Sequence, residues 1–333
     1  MQILIIKMSS LGDVIHLFPA LTDAQLAYPN LTCDWVVEGA FADIPSLHPT
    51  VREVFPINLR QWRKSPYQAF QKGDFARFNQ LIQHKYYDVV IDAQGLIKSA
   101  LVARLARGKK VGFDRKSARE PLASLFYQQP IEISKDQHAI WRLRQLMAAA
   151  LNYPLSLNLP DYGIRSFTST TSRSNRPSLI FLHGTTWVSK HYPEPYWFQL
   201  VKIAGDAGFQ VKLPWGNPQE NERAQRLADA HKLATVMPAM NLQTLAAEMS
   251  TARGVIGVDT GLAHLAAALG VPSVTIYGAT NPVLTGTCGE HQIRLQTDFK
   301  CSPCLKRDCR YLKMPCYNTL PPKEVWLALL NML

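Results

Sequence analysis

Three clusters of polar residues stand where apolar runs end, and each has the makings of a reactive or anion-binding site. The first is Asp13, a lone carboxylate in KMSSLGDVIHLFPAL, where the apolar run Ile3 to Ile6 gives way to Ser9, Ser10 and Gly12. A carboxylate there can take a proton from a hydroxyl, or it can cap the helix that Val14, Ile15, Phe18 and Leu21 predict. The second, FLHGTTWVSKHYPEPYW, offers Thr185, Thr186 and Lys190 after the run Leu179 to Leu182. Two hydroxyls and an ammonium suit a diphosphate, with Lys190 offsetting charge as a leaving group departs; a polar loop with a surface lysine is the plain alternative. The third, GVIGVDTGLAHLAAALGVP, brings Asp259, Thr260 and Gly261 to a helix start, with His264 in its early turn. Unpaired N–H groups at such a start favour an anion, and glycine lets a phosphate approach closely; an Asp cap with a surface histidine is equally open. In KLPWGNPQENERA, Glu220 follows a strand end and a tight turn, where it could accept from sugar or ribose hydroxyls or merely begin a solvated helix.

The elements that position these residues alternate between strand and helix. TCDWVVE (32–38), VREVFPI (51–57) and YYDVVIDA (86–93) read as strands, with amphipathic stretches such as FARFNQLIQHK between them. SLIFLHG, FQVKLPWG, TVMPAM, GVIGVDTG and PSVTIYG repeat the rhythm in the second half. Apolar strands alternating with helices predict parallel sheets covered on both faces, so the fold class is α/β with two Rossmann-like domains facing across a cleft. The Pro, Ser and Thr-rich run from Asn152 to Pro177 contains the connection. The expected boundaries are 1–160 for the first domain, 161–174 for the linker, 175–322 for the second domain and 323–333 for a closing helix.

The 333 residues are 47% hydrophobic and 18% charged, ordinary for a folded protein, and disorder is excluded on composition. No long uncharged apolar run suggests a membrane span, and MQILIIK is too short for a signal peptide, so a cytoplasmic protein is expected. With 36 Lys and Arg against 25 acids, the formal charge of +11 suggests a polyanionic partner: nucleic acid, an anionic membrane surface or a phosphorylated substrate. An oxidoreductase lacks support, because SSLGDV stands where G-x-G-x-x-G would follow the first strand. A nucleic-acid binder would suit the charge, yet no aromatic-basic stacking motif is seen. Five of six cysteines fall late. CSPCLKRDCRYLKMPC places Cys301, Cys304, Cys309 and Cys316 in a compact array that could hold a structural metal or stay as reduced thiols, while Cys33 reads as a small buried hydrophobe.

Read together, the chain resembles the bacterial lipopolysaccharide heptosyltransferases of the ADP-heptose type, glycosyltransferases of the two-domain GT-B architecture. KMSSLGDVIHLFPAL, TCDWVVEGAF, RQWRK, VIDAQGLIKSA, ARGKKVGFDRKSAREPLASLFY, HGTTWVSKHYPEPYW, KLPWGNPQE and VDTGLAHLAAALGVP carry the resemblance over nearly the whole length. It implies that Asp13 is the general base of an inverting transfer from ADP-L-glycero-β-D-manno-heptose, with no cofactor required. The donor would be bound by Thr185, Thr186, Lys190, Glu220, Asp259, Thr260, Gly261 and His264. Arg60, Arg63, Lys64, Lys98, Arg119 and His138 would meet an anionic acceptor, and Gln61 stands where an arginine is expected. AREPLASLFY with LRQWRK is most similar to the branch that adds the first heptose to the Kdo of Kdo2-lipid A, whereas the cysteine-bearing tail is closer to later-acting members. With a lipid acceptor, the enzyme is expected to work peripherally on the inner face of the inner membrane, without a nucleic-acid partner; a monomer is favoured, with the oligomeric state left open by the sequence. Basic residues and an exposed aromatic such as Trp62 would make the membrane contact.

Overall fold

The computed structural model describes residues 1–65, 67, 73–167, 176–311 and 313–333. Residues 168–174 of the expected linker therefore lie outside the described residues, as does the side chain of Arg63. The chain divides into two compact units, Met1–Ile164 and Arg165–Leu333.

In the first unit, β1 (Gln2–Ile6), β2 (Thr32–Glu38), β3 (Val51–Ile57), β4 (Tyr86–Asp92), β5 (Arg107–Phe113) and β6 (Gln129–Ile131) form one parallel sheet in the order β3-β2-β1-β4-β5-β6. The buried side chains of Ile3, Leu4, Ile5 and Ile6 explain why β1 reads as an unbroken apolar run: as a central parallel strand, it is covered on both faces. Helices Phe18–Ala27 and Ala139–Leu151 pack together, locked by the buried Arg144. Its guanidinium grips Asp23 through Nε (2.6 Å) and Nη2 (3.1 Å) and donates to the Asn158 carbonyl at 2.8 Å. Residues up to Ile164 are thereby tied to the first unit, slightly beyond the expected boundary at 160.

The second unit repeats the plan with β7 (Ser178–Leu182), β8 (Gln210–Leu213), β9 (Ala234–Val236), β10 (Gly254–Val258), β11 (Ser273–Tyr277) and β12 (Gln292–Gln296), ordered β12-β11-β10-β7-β8-β9 and parallel throughout. Its closing helix, Pro322–Leu330, packs on β10 and β11 and buries Val325, Trp326 and Leu329. Both sheets are of the Rossmann type, and strand order reverses between β1 and β4 in one and between β7 and β10 in the other. Loops leaving adjacent strands in opposite directions open a crevice at such a reversal, where open α/β sheets hold their ligands. Asp13 follows β1, Thr185 follows β7 and Asp259 follows β10.

Candidate active site

In the first unit, Ser10 caps the short helix Leu11–Ile15, and Asp13 reaches back from its first turn. The Asp13 Oδ2 accepts from the Ser10 N–H at 2.9 Å and from the Ser10 hydroxyl at 2.8 Å. The capping role is therefore real, but it occupies only one carboxylate oxygen. Burial opposes ionisation of Asp13, yet the Lys7 cation, the two bonds from Ser10 and the Arg119 charge outweigh it and hold the pKa below the usual value. Lys7 is the last residue of the apolar opening ILIIK and is 7% exposed, its Nζ donating to the Ala93 carbonyl at 2.9 Å. Burial lowers the Lys7 pKa, while the Asp13 and Asp92 carboxylates act the other way.

The loop after β4 fixes the Asp13 turn. Gln94 Oε1 accepts from the backbone of Met8 (2.9 Å) and Ser9 (3.3 Å), and its Nε2 donates to the Ser9 carbonyl at 2.6 Å. Gln94 is itself held by Asp92, whose buried carboxylate accepts from the N–H groups of Gln94 and Gly95 and from the hydroxyls of Ser99 and Tyr127. Gly95 adopts φ +68°, and a side chain there would crowd Phe113 and the backbone of Arg119. IDAQGLIKS is thus a clasp that sets two neighbouring loops against each other.

The basic residues expected to meet an acceptor gather in part. Arg60 and Lys98 both act on Glu38, which is buried at the end of β2; burial raises the Glu38 pKa and these two cations oppose it. Arg119 stands within electrostatic reach of Asp13 and Lys7. Lys64 ends its helix exposed, and His138 caps helix Ala139–Leu151, its ring edge-on to His16 at 5.7 Å. Trp62 is packed against Phe75 and Phe78 rather than projecting as an anchor.

In the second unit, Lys190 and Asp259 meet: Nζ lies 2.7 Å from Oδ2, and the same oxygen accepts from the Thr280 hydroxyl at 2.5 Å. Thr185 Oγ1 donates to the Asp259 carbonyl at 3.2 Å, joining the β7 and β10 loops, while Thr186 is exposed. Lys190 also lies over the Trp187 ring at 4.7 Å, and the Arg307 guanidinium faces that ring at 5.7 Å. Thr260, not Asp259, holds the N-cap position of helix Gly261–Ala268, without a side-chain capping bond, and His264 is buried rather than on the surface. Glu220 does begin a largely solvated helix, Pro218–Ala228, and it also faces inward from it: its Oε2 accepts from the Gly216 N–H at 2.8 Å, and the carboxylate packs on Gly184. Arg223 donates to the His183 carbonyl at 3.2 Å and lies 3.0 Å from His191 Nδ1.

The cysteine-rich segment braces this site. Ser189 donates from its N–H to the Arg307 carbonyl (3.0 Å) and from its hydroxyl to the Lys306 carbonyl (2.5 Å), and Tyr317 donates to the Ser189 carbonyl at 2.9 Å. Cys301, Cys304, Cys309 and Cys316 line one cavity of about 20 Å³ beside Phe299 and Tyr311, as unbridged thiols. Among the described residues, no group of three or more His, Cys, Asp or Glu is placed to hold a metal ion. Cys33 is buried, as expected, and burial drives its thiol pKa upward.

A carboxylate kept ionised beside a strand-order reversal can accept a proton, and hydroxyls, an ammonium and unpaired helix N–H groups can hold a diphosphate. The sequence profile of glycosyltransferase family 9 (heptosyltransferase) matches residues 75–314. The chain belongs to this family. It is a glycosyltransferase. Among curated family members, lipopolysaccharide heptosyltransferase 1 of Pseudomonas aeruginosa is 49% identical over 312 residues, 93% of this chain and 88% of that protein. The Escherichia coli K12 protein of the same name is 48% identical over 88% of this chain and 92% of its own length. Lipopolysaccharide heptosyltransferase 2 of that organism is 26% identical over 86% and 85%. The solved structure of E. coli heptosyltransferase WaaC with ADP superposes with a TM-score of 0.90 at 42% identity, covering both chains completely. WaaC with ADP-2-deoxy-2-fluoro heptose gives 0.87 at 42% identity, covering 99% of each.

Proposed function

We propose that this family 9 enzyme is the heptosyltransferase that begins the lipopolysaccharide inner core, moving heptose from ADP-heptose to the Kdo of Kdo2-lipid A. The observation that carries this reading is the gap in identity: 49% and 48% to two proteins named heptosyltransferase 1, against 26% to a heptosyltransferase 2. The donor follows from WaaC, which has been solved with ADP and with a fluorinated ADP-heptose.

In this reading Asp13 accepts the proton of the Kdo hydroxyl as its oxygen bonds to the anomeric carbon. The bond from that carbon to the β-phosphate oxygen breaks, ADP leaves with the electron pair, and one displacement inverts the carbon. The transition state gathers negative charge on the diphosphate. Lys190, the Thr185 and Thr186 hydroxyls and the first N–H groups of helix Gly261–Ala268 offset it, with His264 behind them. No step passes through a metal or cofactor. In the resting site Lys190 is held by Asp259, so an arriving diphosphate competes for an ammonium already aimed by that carboxylate. Glu220 has Oε1 uncommitted by its bond to Gly216 and accepts from ribose hydroxyls. On the acceptor side, Arg60, Arg63, Lys64, Lys98, Arg119 and His138 meet the Kdo carboxylates and lipid A phosphates. The enzyme works on the cytoplasmic face of the inner membrane, held there peripherally.

Transfer from ADP-heptose to Kdo2-lipid A, run beside the same acceptor already carrying one heptose, tests the assignment through ADP release. Turnover on the bare acceptor alone is expected. Turnover confined to the heptosylated acceptor would assign the second step instead.

A further inference from the structure

The 3-10 turn Pro121–Phe126 is built inside out. Its inward residue, Ala123, packs with Ala100 of helix Ile97–Leu105 and with Tyr127, and Phe126 closes over this small core. Its outward residues are not polar: Leu122 is 58% exposed and Leu125 is 77% exposed. Leu101, next to Ala100 on the supporting helix, is 49% exposed, so three exposed leucines lie on two elements that pack against each other. Single exposed leucines are ordinary, but neighbouring ones on a turn anchored through the buried Ala123 present an apolar patch to water.

The patch has a basic surround. From residue 97 to 119 the chain carries eight Lys and Arg against one acid, Asp114. Lys98 and Arg104 are exposed on the same helix as Leu101, and Arg119 is exposed two residues before the turn. The acid beside them, Glu120, is committed, its carboxylate accepting from the Ile97 N–H at 2.7 Å. Exposed leucines within a cationic field match an anionic bilayer, whose headgroups take the positive charges while the acyl boundary takes the apolar side chains. The location fits as well, because Arg119, which leads into the turn, lies within electrostatic reach of Asp13.

We propose that the Pro121–Phe126 turn and the Lys98, Leu101 and Arg104 face of its supporting helix dock this enzyme on an anionic membrane, with Leu122 and Leu125 inserted at the headgroup boundary. The proposal deepens the lipid-acceptor reading by naming the surface that meets the membrane bearing the acceptor. Trp62, packed on Phe75 and Phe78, plays no such part.

The test is co-sedimentation of the full chain with phosphatidylglycerol/phosphatidylethanolamine vesicles that contain no acceptor, beside purely zwitterionic phosphatidylcholine vesicles. Wild type is expected to partition to the anionic vesicles, with Leu122→Ser/Leu125→Ser at least about tenfold weaker. Arg104→Glu is expected to weaken anionic binding about fivefold or more. The double serine variant should turn over a deacylated, water-soluble Kdo2 acceptor at the wild-type rate, since neither leucine is assigned to the site. Unchanged vesicle binding by that variant, or equal wild-type binding to zwitterionic vesicles, would overturn the proposal. So would loss of turnover on the soluble acceptor, which would place the leucines in the acceptor site. Vesicle binding without transfer to any acceptor would defeat the functional reading and leave the docking surface standing.

Discussion

Asp13 closes the first turn of its helix, and in the proposed mechanism it also accepts a proton; the two roles can be separated by mutation. Asp13→Ala should lower kcat by about 10²–10⁴, whereas loss of the cap should cost only about 1 kcal/mol of stability. ADP-heptose binding by calorimetry should be nearly unchanged. Near-normal turnover would leave Asp13 as a cap alone. Lys7 tests the electrostatics: removing its cation in Lys7→Met takes away the main charge that keeps Asp13 ionised. The Asp13 pKa then rises, and the acid limb of the kcat/KM profile should move to higher pH; an unmoved limb would show that another group sets it. Lys190→Ala should cost about 10²–10³ in kcat/KM with little change in thermal stability, and unchanged kinetics would refute the phosphate role. At this scale the charged candidates are legible in the sequence, and the contacts that hold them are not. Asp13, Lys190 and Asp259 stand out as charged residues in the loops and helix starts that follow apolar strands. Gln94 and Thr280 act through contacts with loops distant in sequence, Ser9 and Asp259, which no local spacing reveals. Lys7 carries a signal of its own, a lysine directly after a strand whose residues 3–6 are all apolar, a position that leaves its ammonium inside the fold.

Among the elements, the loops between strand and helix are more tightly specified than the helices they begin. Gly184 illustrates this, because a Cβ there would lie 2.6 Å from the Glu220 carboxyl carbon. Gly184→Ala should push the carboxylate away from Gly216 and raise the donor KM about tenfold, with the acceptor KM unchanged and the fold intact. A donor KM that stays put would mean that Glu220 does not touch the nucleotide. The strands β2, β3 and β4 were legible to within a residue because β-branched and aromatic residues dominate them despite the charges at Asp34, Arg52, Glu53 and Asp88. β5, in contrast, reads as RGKKVGF, a basic stretch: Arg107 and Lys109 alternate outward at its beginning and only Val111, Gly112 and Phe113 are buried. β12, QIRLQ, lies at a sheet edge with no fully buried residue, so periodicity gives little warning of either strand.

Taken over the whole molecule, the two units share a plan, and each stores a buried neutral histidine that couples its stability to pH. The repeated strand order was legible as a repeated rhythm, but such histidines were not, since burial of a single imidazole depends on what packs over it. His48, in the first unit, has no exposed surface, lies 3.0 Å from Thr22 Oγ1 and has a pKa lowered to about 4 by burial against the opposing pull of Asp161. His183, in the second, is lowered to about 4 by burial, with Arg223 and His191 adding to the effect. An unfolded histidine titrates near 6.5, so between about pH 6.5 and 4 the unfolded chain binds a proton that the folded chain refuses. The stability these groups contribute is whole above that window and falls as the pH drops through it, by on the order of 2 kcal/mol for each histidine between pH 7 and 5. Urea denaturation at pH 7.5, 6 and 5 should show this decline. His48→Gln and His183→Gln, although less stable at pH 7.5, should each show a shallower decline, because the titrating group is gone from both states. A decline as steep as wild type in both variants would assign the acid sensitivity to the carboxylates instead.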